Sequence, residues 1–209
     1  MTSKKLLVMG LDLAAANSGL CLIEARCPKR GKYAQKVTLE QAFQHPMADF
    51  RNRASVANQI LELANRYKPD IIVIEDYIRR SFATNTSSYE HGEMGGMVKK
   101  LLYEAGFTIY LVPPTTMRSF VNAPPKSPKE FIEEQADKRL GYVSTASNKK
   151  KRSDITDAFW HAHIGALTYF AKQGTLKYDL LECEKRILYG DKKIIGLKDR
   201  NGIEYDKGI

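Results

Sequence analysis

Four acidic residues stand where their side chains could carry out metal chemistry together. Asp12 ends one apolar run of the sequence, and Glu75 ends another. Asp154 and Asp157 lie near the start of a predicted helix; at about 100° per residue they are about 60° apart and share a face. Carboxylate oxygens in such positions are the ligands that Mg²⁺ prefers, with waters and substrate phosphate completing the coordination. The four acids therefore predict a site for divalent-cation chemistry on phosphate.

Each of these acids also has a structural explanation that involves no metal. A charged residue commonly marks the end of an apolar strand, and acids in the first turn of a helix are stabilised by the helix dipole. The residues after Asp157 are largely apolar, however, so the helix is predicted to be buried, and buried acids need a cationic partner. His161 shares the face of Asp154 and is a candidate for orienting the metal ligands. A core or surface histidine is the alternative.

The predicted elements alternate in an order that brings the acids together. They are strands at 6–13, 20–25, 37–44, 71–75 and 107–112, and helices at 49–67, 91–105, 115–121, 128–139 and 154–172. The first three strands form an antiparallel meander, and a strand reached through a helical crossover should be parallel to its neighbour. This order predicts an α/β fold with a mixed five-stranded sheet flanked by helices, the RNase H-like architecture. Residues 1–173 are predicted to form this domain, and 174–209 a C-terminal extension with a helix and a candidate hairpin.

Three helix boundaries are predicted from capping residues. Ser127, with Glu130 three residues later, is typical of a capping box, and Pro128 suits the first helical position. Ser153 is predicted to be the N-cap of the helix that carries the acid pair. Gly106 is predicted to end the second helix.

The chain is basic, which favours nucleic acid as its partner. Its 209 residues include 33 Lys and Arg against 24 Asp and Glu, a net charge of +9. The three cysteines have no CxxC spacing, so neither a zinc knuckle nor a disulfide framework is expected. No apolar stretch reaches the length that a membrane span requires. We therefore expect a cytoplasmic protein without a membrane partner, in the host cytoplasm if the chain is viral.

Four short motifs, taken in order, resemble those of the RuvC-type Holliday-junction resolvases. They are Gly10-Leu11-Asp12 with Ser18-Gly19, Ile74-Glu75, Gly92 to Gly96, and Asp154 to Ala158. The resemblance implies catalytic, metal-binding roles for the four acids: Asp12, Glu75, Asp154 and Asp157. It implies phosphodiester hydrolysis with two Mg²⁺ ions, or with Mn²⁺ as an alternative. It also implies a homodimer that binds four-way junctions and resolves them by paired symmetric nicks, with other branched DNA as a broader substrate class.

Basic and aromatic residues around the acids are predicted to bind DNA. By resemblance, Arg118 and Lys129 match places where the family carries lysines near the scissile phosphate. In the family an aromatic residue shortly after the second acid wedges between bases, and Tyr77 and Phe82 are the candidates here. The alternative is that the loop with these aromatic residues and the basic run at 149–152 are simply exposed to solvent and do not contact DNA. The predicted DNA-binding residues are Tyr77, Arg79, Arg80, Phe82, Arg118, Lys129, Lys149, Lys150, Lys151 and Arg152.

Some features depart from the family pattern and leave other functions open. Residues 13–17 replace a glycine-bearing loop, and neither the basic run at 149–152 nor the tail past Gly174 is a family feature. One alternative is an RNase H-like nuclease for another substrate, such as an RNA–DNA hybrid. Another is a junction-binding protein without catalysis, against which the four retained acids argue. An unusual tail on a stand-alone resolvase would suit a viral member.

Overall fold

A computed structural model describes residues 5–14, 16–27, 32–44, 49–76, 86–176, 178–189 and 195–197. The elements in this part of the chain are β1 (Lys5–Leu13), β2 (Asn17–Arg26), β3 (Ala34–Gln44), α1 (Phe50–Tyr67), β4 (Ile71–Glu75), α2 (Thr86–Glu104), β5 (Ile109–Val112), α3 (Pro114–Phe120), α4 (Lys129–Leu140), α5 (Lys149–Lys172), α6 (Glu182–Leu188) and β6 (Ile195–Leu197). None of these helices is long and apolar enough to cross a membrane.

The strands form one mixed sheet in the order β3-β2-β1-β4-β5-β6. The first three are antiparallel neighbours, as the predicted meander requires. β4 joins β1 in parallel after the α1 crossover, and β5 joins β4 in parallel after α2. The predicted α/β, RNase H-like fold class is thus confirmed. The C-terminal extension adds β6 antiparallel to β5, beyond the five predicted strands.

The sheet is covered by helices on both faces, and strand alternation decides which side chains meet which helices. Leu6 and Val8 of β1 belong to the core that includes α5, whereas Met9 and Leu11 belong to the core that includes α1 and α2. β4 alternates in the same way. Burial on both faces explains why these central strands read as continuous apolar runs.

α5 lies directly against the sheet because two glycines leave room for its backbone. A Cβ at Gly10 would lie 1.9 Å from the carbonyl oxygen of Ala158, and one at Gly19 would lie 2.1 Å from that of Asp154. Gly19 is the cross-strand partner of Asp12 in the β1–β2 ladder. The close approach therefore brings the first acid of α5 next to the acid of β1.

Two of the three predicted helix boundaries are wrong. α5 begins at Lys149, because the Asn148 side chain caps it by accepting bonds from the backbone N–H groups of residues 150 and 151 at 2.9 and 3.4 Å. Ser153 is consequently a buried residue inside the helix. The predicted capping box at Ser127 does not form, and Pro128 precedes α4 without a side-chain cap. Gly106, with φ of 85°, follows the end of α2 as predicted.

The start of the extension packs back onto the core. α6 contacts α3 and α5. Glu184 is fully buried, pairs with Arg139, and accepts a bond from the Leu181 N–H at 2.8 Å. The Arg139 guanidinium also lies over the ring of Trp160, 5.2 Å from its centroid. Of the predicted hairpin, the described residues include 195–197, which extend the sheet beside β5.

Candidate metal centre

Asp12 and Glu75 lie side by side at one edge of the sheet. The parallel β1–β4 register pairs Leu11 with Ile74, one residue before each acid. By alternation both acids point to the face that α5 covers, and their side chains share a hydrogen bond. Two carboxyl groups bond to each other only if one carries a proton. Burial, the largest cause, raises the pKa of both carboxyl groups, so the pair holds a proton more readily than two separate carboxyl groups would.

Asp154 and Asp157 approach the same place from α5, and Lys129 meets them from α4. Both aspartates are buried. The Lys129 Nζ lies 3.4 Å from the Asp154 Oδ1 and 3.5 Å from the Asp157 Oδ2. Lys129 also interacts electrostatically with Asp12 and Glu75. The structure therefore brings the four predicted acids and one predicted basic residue into a single cluster.

The cluster holds more negative charge than one ammonium group can balance. Burial raises the pKa of Asp12 well above its ordinary value, and the charge of Glu75 adds to this. Burial, followed by the charge of Asp12, raises the pKa of Asp157 to about 7. Burial likewise raises the pKa of Glu75. Burial disfavours the charged form of Lys129, but the nearby aspartates outweigh it and raise the pKa of Lys129. Such a cluster of buried carboxyl groups is stable only if some of them are protonated or if further cations bind to them.

The residues of the cluster fit a hard divalent cation by the type of their donors, which are all carboxylate oxygens. Within the described residues, no three His, Cys, Asp or Glu side chains are already gathered around one ion position. The ammonium group of Lys129 instead bridges Asp154 and Asp157 and acts as their counter-ion. Its side chain is more than half exposed and is long enough to move away from the acids.

Arg118 does not reach the acid cluster but supports the segment that leads to it. Its guanidinium donates to the carbonyl oxygen of Ser127 at 2.8 Å and to the hydroxyl of the same residue at 2.6 Å. Ser127 lies two residues before Lys129. Arg118 therefore holds the loop from which α4 and its lysine begin, and this same contact takes up the hydroxyl that the capping box would have needed.

The four basic residues at the start of α5 have different surroundings. Lys149 pairs with Glu130 of α4 at 2.6 Å. Arg152 donates to two carbonyl oxygens of the preceding loop, at 3.3 and 3.1 Å, and so stabilises the loop. Lys150 is exposed and Lys151 half-buried, and neither has an ion-pair partner within the described residues. Lys150 is therefore the most available of the four for an external anion.

A cavity of about 530 Å³ opens between α4 and α5 beside the acids. Its lining residues are Lys129, Glu130, Glu133, Asn148, Lys149, Lys150, Ser153 and Asp154. It therefore joins the basic start of α5 to the acid cluster.

The other predicted residues fall into two groups. Tyr77, Arg79, Arg80 and Phe82 lie outside the described residues. His161 is fully buried one turn after Asp157, and neither ring nitrogen has a hydrogen-bond partner in the described part of the chain. Burial lowers its pKa to about 3, so it is neutral.

No model of a known protein family matches the sequence. Solved structures do match the fold. RuvC from T. thermophilus in complex with a Holliday junction substrate superimposes with a TM-score of 0.61 and 18% identity, over 82% of this chain and 99% of that one. A second Thermus thermophilus RuvC structure gives the same values. The chain has the RuvC fold. The fowlpox virus resolvase bound to substrate Holliday junction DNA matches with a TM-score of 0.49 and 14% identity, over 77% of this chain and 97% of that one.

Sequence reasoning missed how the RuvC fold brings its helical acids to the sheet here. The signal was available, because Gly10 and Gly19 interrupt apolar strands. A glycine inside a strand often marks a place where another backbone approaches closely. Gly10 also precedes Asp12 by two residues and so lies on the same face of β1. Applied to these two positions, that rule predicts a helix packed against the strand beside the acid.

Proposed function

We propose that this protein is a metal-dependent endonuclease that resolves four-way DNA junctions. The observation that carries the proposal is the acid cluster. Asp12, Glu75 and the two α5 aspartates crowd into one buried place with Lys129 as their nearby cation. A purely structural role would have no use for so much unbalanced charge at this cost in stability.

In this proposal the sheet and α5 hold two divalent cations between them. Asp12 and Glu75 supply oxygens from the strand ends, and Asp154 and Asp157 supply them from the helix. Bound Mg²⁺, or Mn²⁺ in its place, would lower the pKa of an attacking water and stabilise the leaving oxygen. Asp12 and Glu75 would hold a cation in their ionised forms, so the proton that burial favours on this pair would be lost to solvent. The ammonium group of Lys129, which pairs with Asp154 and Asp157 here, would then be available to neutralise a scissile phosphate oxygen.

The basic start of α5 supports DNA as the substrate. Lys149, Lys150 and Lys151 occupy its first turn, where the helix dipole disfavours positive charge. Lys149 pairs with Glu130, but helix stability does not account for Lys150 and Lys151, whereas a bound phosphate backbone would. The chain's net charge of +9 favours the same partner. Junction DNA as the specific form is supported by the Thermus RuvC structure, whose substrate is a Holliday junction.

A homodimer is part of the proposal, with the outward face of α2 as its contact surface. Gly92 and Gly96 lie on this face, and a Cβ at either would meet nothing within 4 Å. Packing within the subunit therefore does not require glycine there. Tyr89, which is 79% exposed, and the exposed Tyr103 share the same face. A second copy packed on α2 would bury both aromatic rings and give two active sites related by a twofold axis.

A cleavage assay on a synthetic mobile four-way junction with Mg²⁺ tests the function. We expect paired, symmetric nicks from the unaltered protein. Asp12→Asn and Glu75→Gln should abolish nicking and retain junction binding, because they remove ligands without removing positive charge. Asp137→Asn, which changes an exposed acid on α4, is the matched control and should nick normally. Linear duplex DNA and an RNA–DNA hybrid are tested in the same assay as competing substrate types. Cleavage that persists in either variant, or a hybrid cut in preference to the junction, contradicts the proposal.

A further inference from the structure

The end of β4 carries two adjacent acids that point in opposite directions. Ile71 and Val73 pack in the core on the α5 side, whereas Ile72 and Ile74 pack on the side of α1 and α2. Continued alternation directs Glu75 to α5 and the metal centre, and directs the next residue to α2.

That next residue, Asp76, is held from two sides. Its backbone N–H donates to the carbonyl oxygen of Val112 at 2.9 Å. Its carboxylate accepts a bond from the Nζ of Lys99, on α2, at 3.2 Å. The two side chains are 23% and 24% exposed, whereas Lys100 and Glu104 on the same helix form a pair at 67% and 56% exposure. Ion pairs at exposed positions contribute little, whereas solvent screens the shielded pair of Lys99 and Asp76 less, so that it can hold the Asp76 side chain in place.

Glu75 is the last residue of β4, so no strand residue follows to keep its backbone in register. The two contacts of Asp76 take over that task. Without Lys99, the carboxylate of Asp76 would lose its partner, and the main chain next to Glu75 would rotate more freely. A metal ligand needs a fixed orientation, because coordination geometry depends on it.

We propose that the Lys99–Asp76 ion pair positions Glu75 for a divalent cation and thereby ties α2 to the metal centre. The inference rests on the proposed function, since it assumes that Glu75 is a metal ligand. Asp76 and Lys99 are positioning residues, and neither touches substrate or metal. Outer partners of metal ligands typically contribute 10- to 100-fold to metal affinity. Because this pair acts through the main chain, we expect about tenfold, the lower end of that range.

Direct Mn²⁺ binding tests the proposal without DNA and without turnover. The electron paramagnetic resonance signal of free Mn²⁺ is titrated against the full-length protein. Asp76→Asn and Lys99→Met should each weaken Mn²⁺ binding by about tenfold, and Lys99→Arg, which retains the positive charge, should bind normally. Lys100→Met breaks the exposed neighbouring pair on the same helix and is the matched control. Thermal unfolding of every variant with a chelator present measures stability separately.

The outcomes separate this inference from the proposed function. Weakened Mn²⁺ binding in both pair-breaking variants, with a melting temperature close to that of Lys100→Met, supports positioning. The charge-reversed double variant Asp76→Lys with Lys99→Asp should recover part of the affinity even if a single variant folds poorly. Mn²⁺ affinities that all agree within about twofold overturn the positioning role and leave the proposed function intact. Absence of Mn²⁺ binding by the unaltered protein overturns the proposed function itself.

Discussion

Replacing Asp157 by asparagine should stabilise the protein when no divalent cation is present, and the gain should grow with pH. Burial, reinforced by the charge of Asp12, raises the pKa of Asp157 to about 7 in the folded state, compared with its ordinary value of 3.8. An acid whose pKa is raised by folding destabilises the fold as pH increases. The loss begins above the pKa of the unfolded state and is complete above that of the folded state. Asparagine cannot ionise and escapes this loss.

The magnitude follows from these two pKa values. Each pH unit between them costs the folded state about 1.4 kcal/mol, which gives a total of about 4 kcal/mol. About 2 kcal/mol of this falls between about pH 5.5 and about pH 8.5. For a domain of this size, that difference corresponds to about 4–8 °C in melting temperature.

Thermal unfolding in the presence of a chelator, at both ends of this pH range, measures the effect. The relevant quantity is the stability of Asp157→Asn minus that of the unaltered protein, because contributions from the buried, neutral His161 and His163 cancel in it. Asp137→Asn is the control and should show no difference that depends on pH. In excess Mg²⁺ the unaltered protein should become the more stable of the two, since the cation stabilises the folded protein that retains all its carboxylates. A difference that stays constant with pH, or a variant that is less stable at high pH, refutes the reasoning.

Three further perturbations have defined outcomes. Gly10→Ala should destabilise the fold by about 3 kcal/mol or more in urea titrations, because its Cβ would lie 1.9 Å from a backbone oxygen of α5; an unchanged midpoint would contradict the packing. Glu184→Gln leaves Arg139 buried without its charge partner and should cost about 3–5 kcal/mol, whereas Glu182→Gln, at an exposed position, should cost almost nothing. Lys129→Met should slow junction nicking by about 100-fold and yet tighten Mn²⁺ binding, because it removes the competing ammonium group; weaker Mn²⁺ binding would show that the lysine does not compete.

Local periodicity was enough to predict the fold class and the meeting of the acids. The alternation of β1 and β4 predicts the faces of Asp12 and Glu75, and the helical repeat predicts that Asp154 and Asp157 share a face. These rules work here because the central strands and α5 are continuous and buried, so that one periodicity holds along each element. The topology then follows from the parallel crossover.

The boundaries and the supporting contacts could not be predicted in the same way. Asn148 and Ser153 are both good N-cap residues, and nothing local decides between them. The bond from Arg118 to Ser127 forms because α3 and the following loop fold against each other, and it removes the hydroxyl that a capping box requires. Lys99 meets its aspartate through tertiary packing between α2 and the end of β4. Contacts of this kind depend on the assembled fold.

The observed start of α5 strengthens the functional argument. With the helix beginning at Lys149, Asp154 and Asp157 are its sixth and ninth residues, too far from the first turn for the dipole to stabilise them. The first turn instead holds three lysines, which the dipole disfavours. Two sets of charges of opposite sign thus stand on one helix against local preference, and Lys149, Lys150 and Asp154 from these sets line one cavity. Residues that break local structural preferences tend to cluster at functional sites. A phosphate bound to the lysines and a cation bound to the acids would balance both sets of charges.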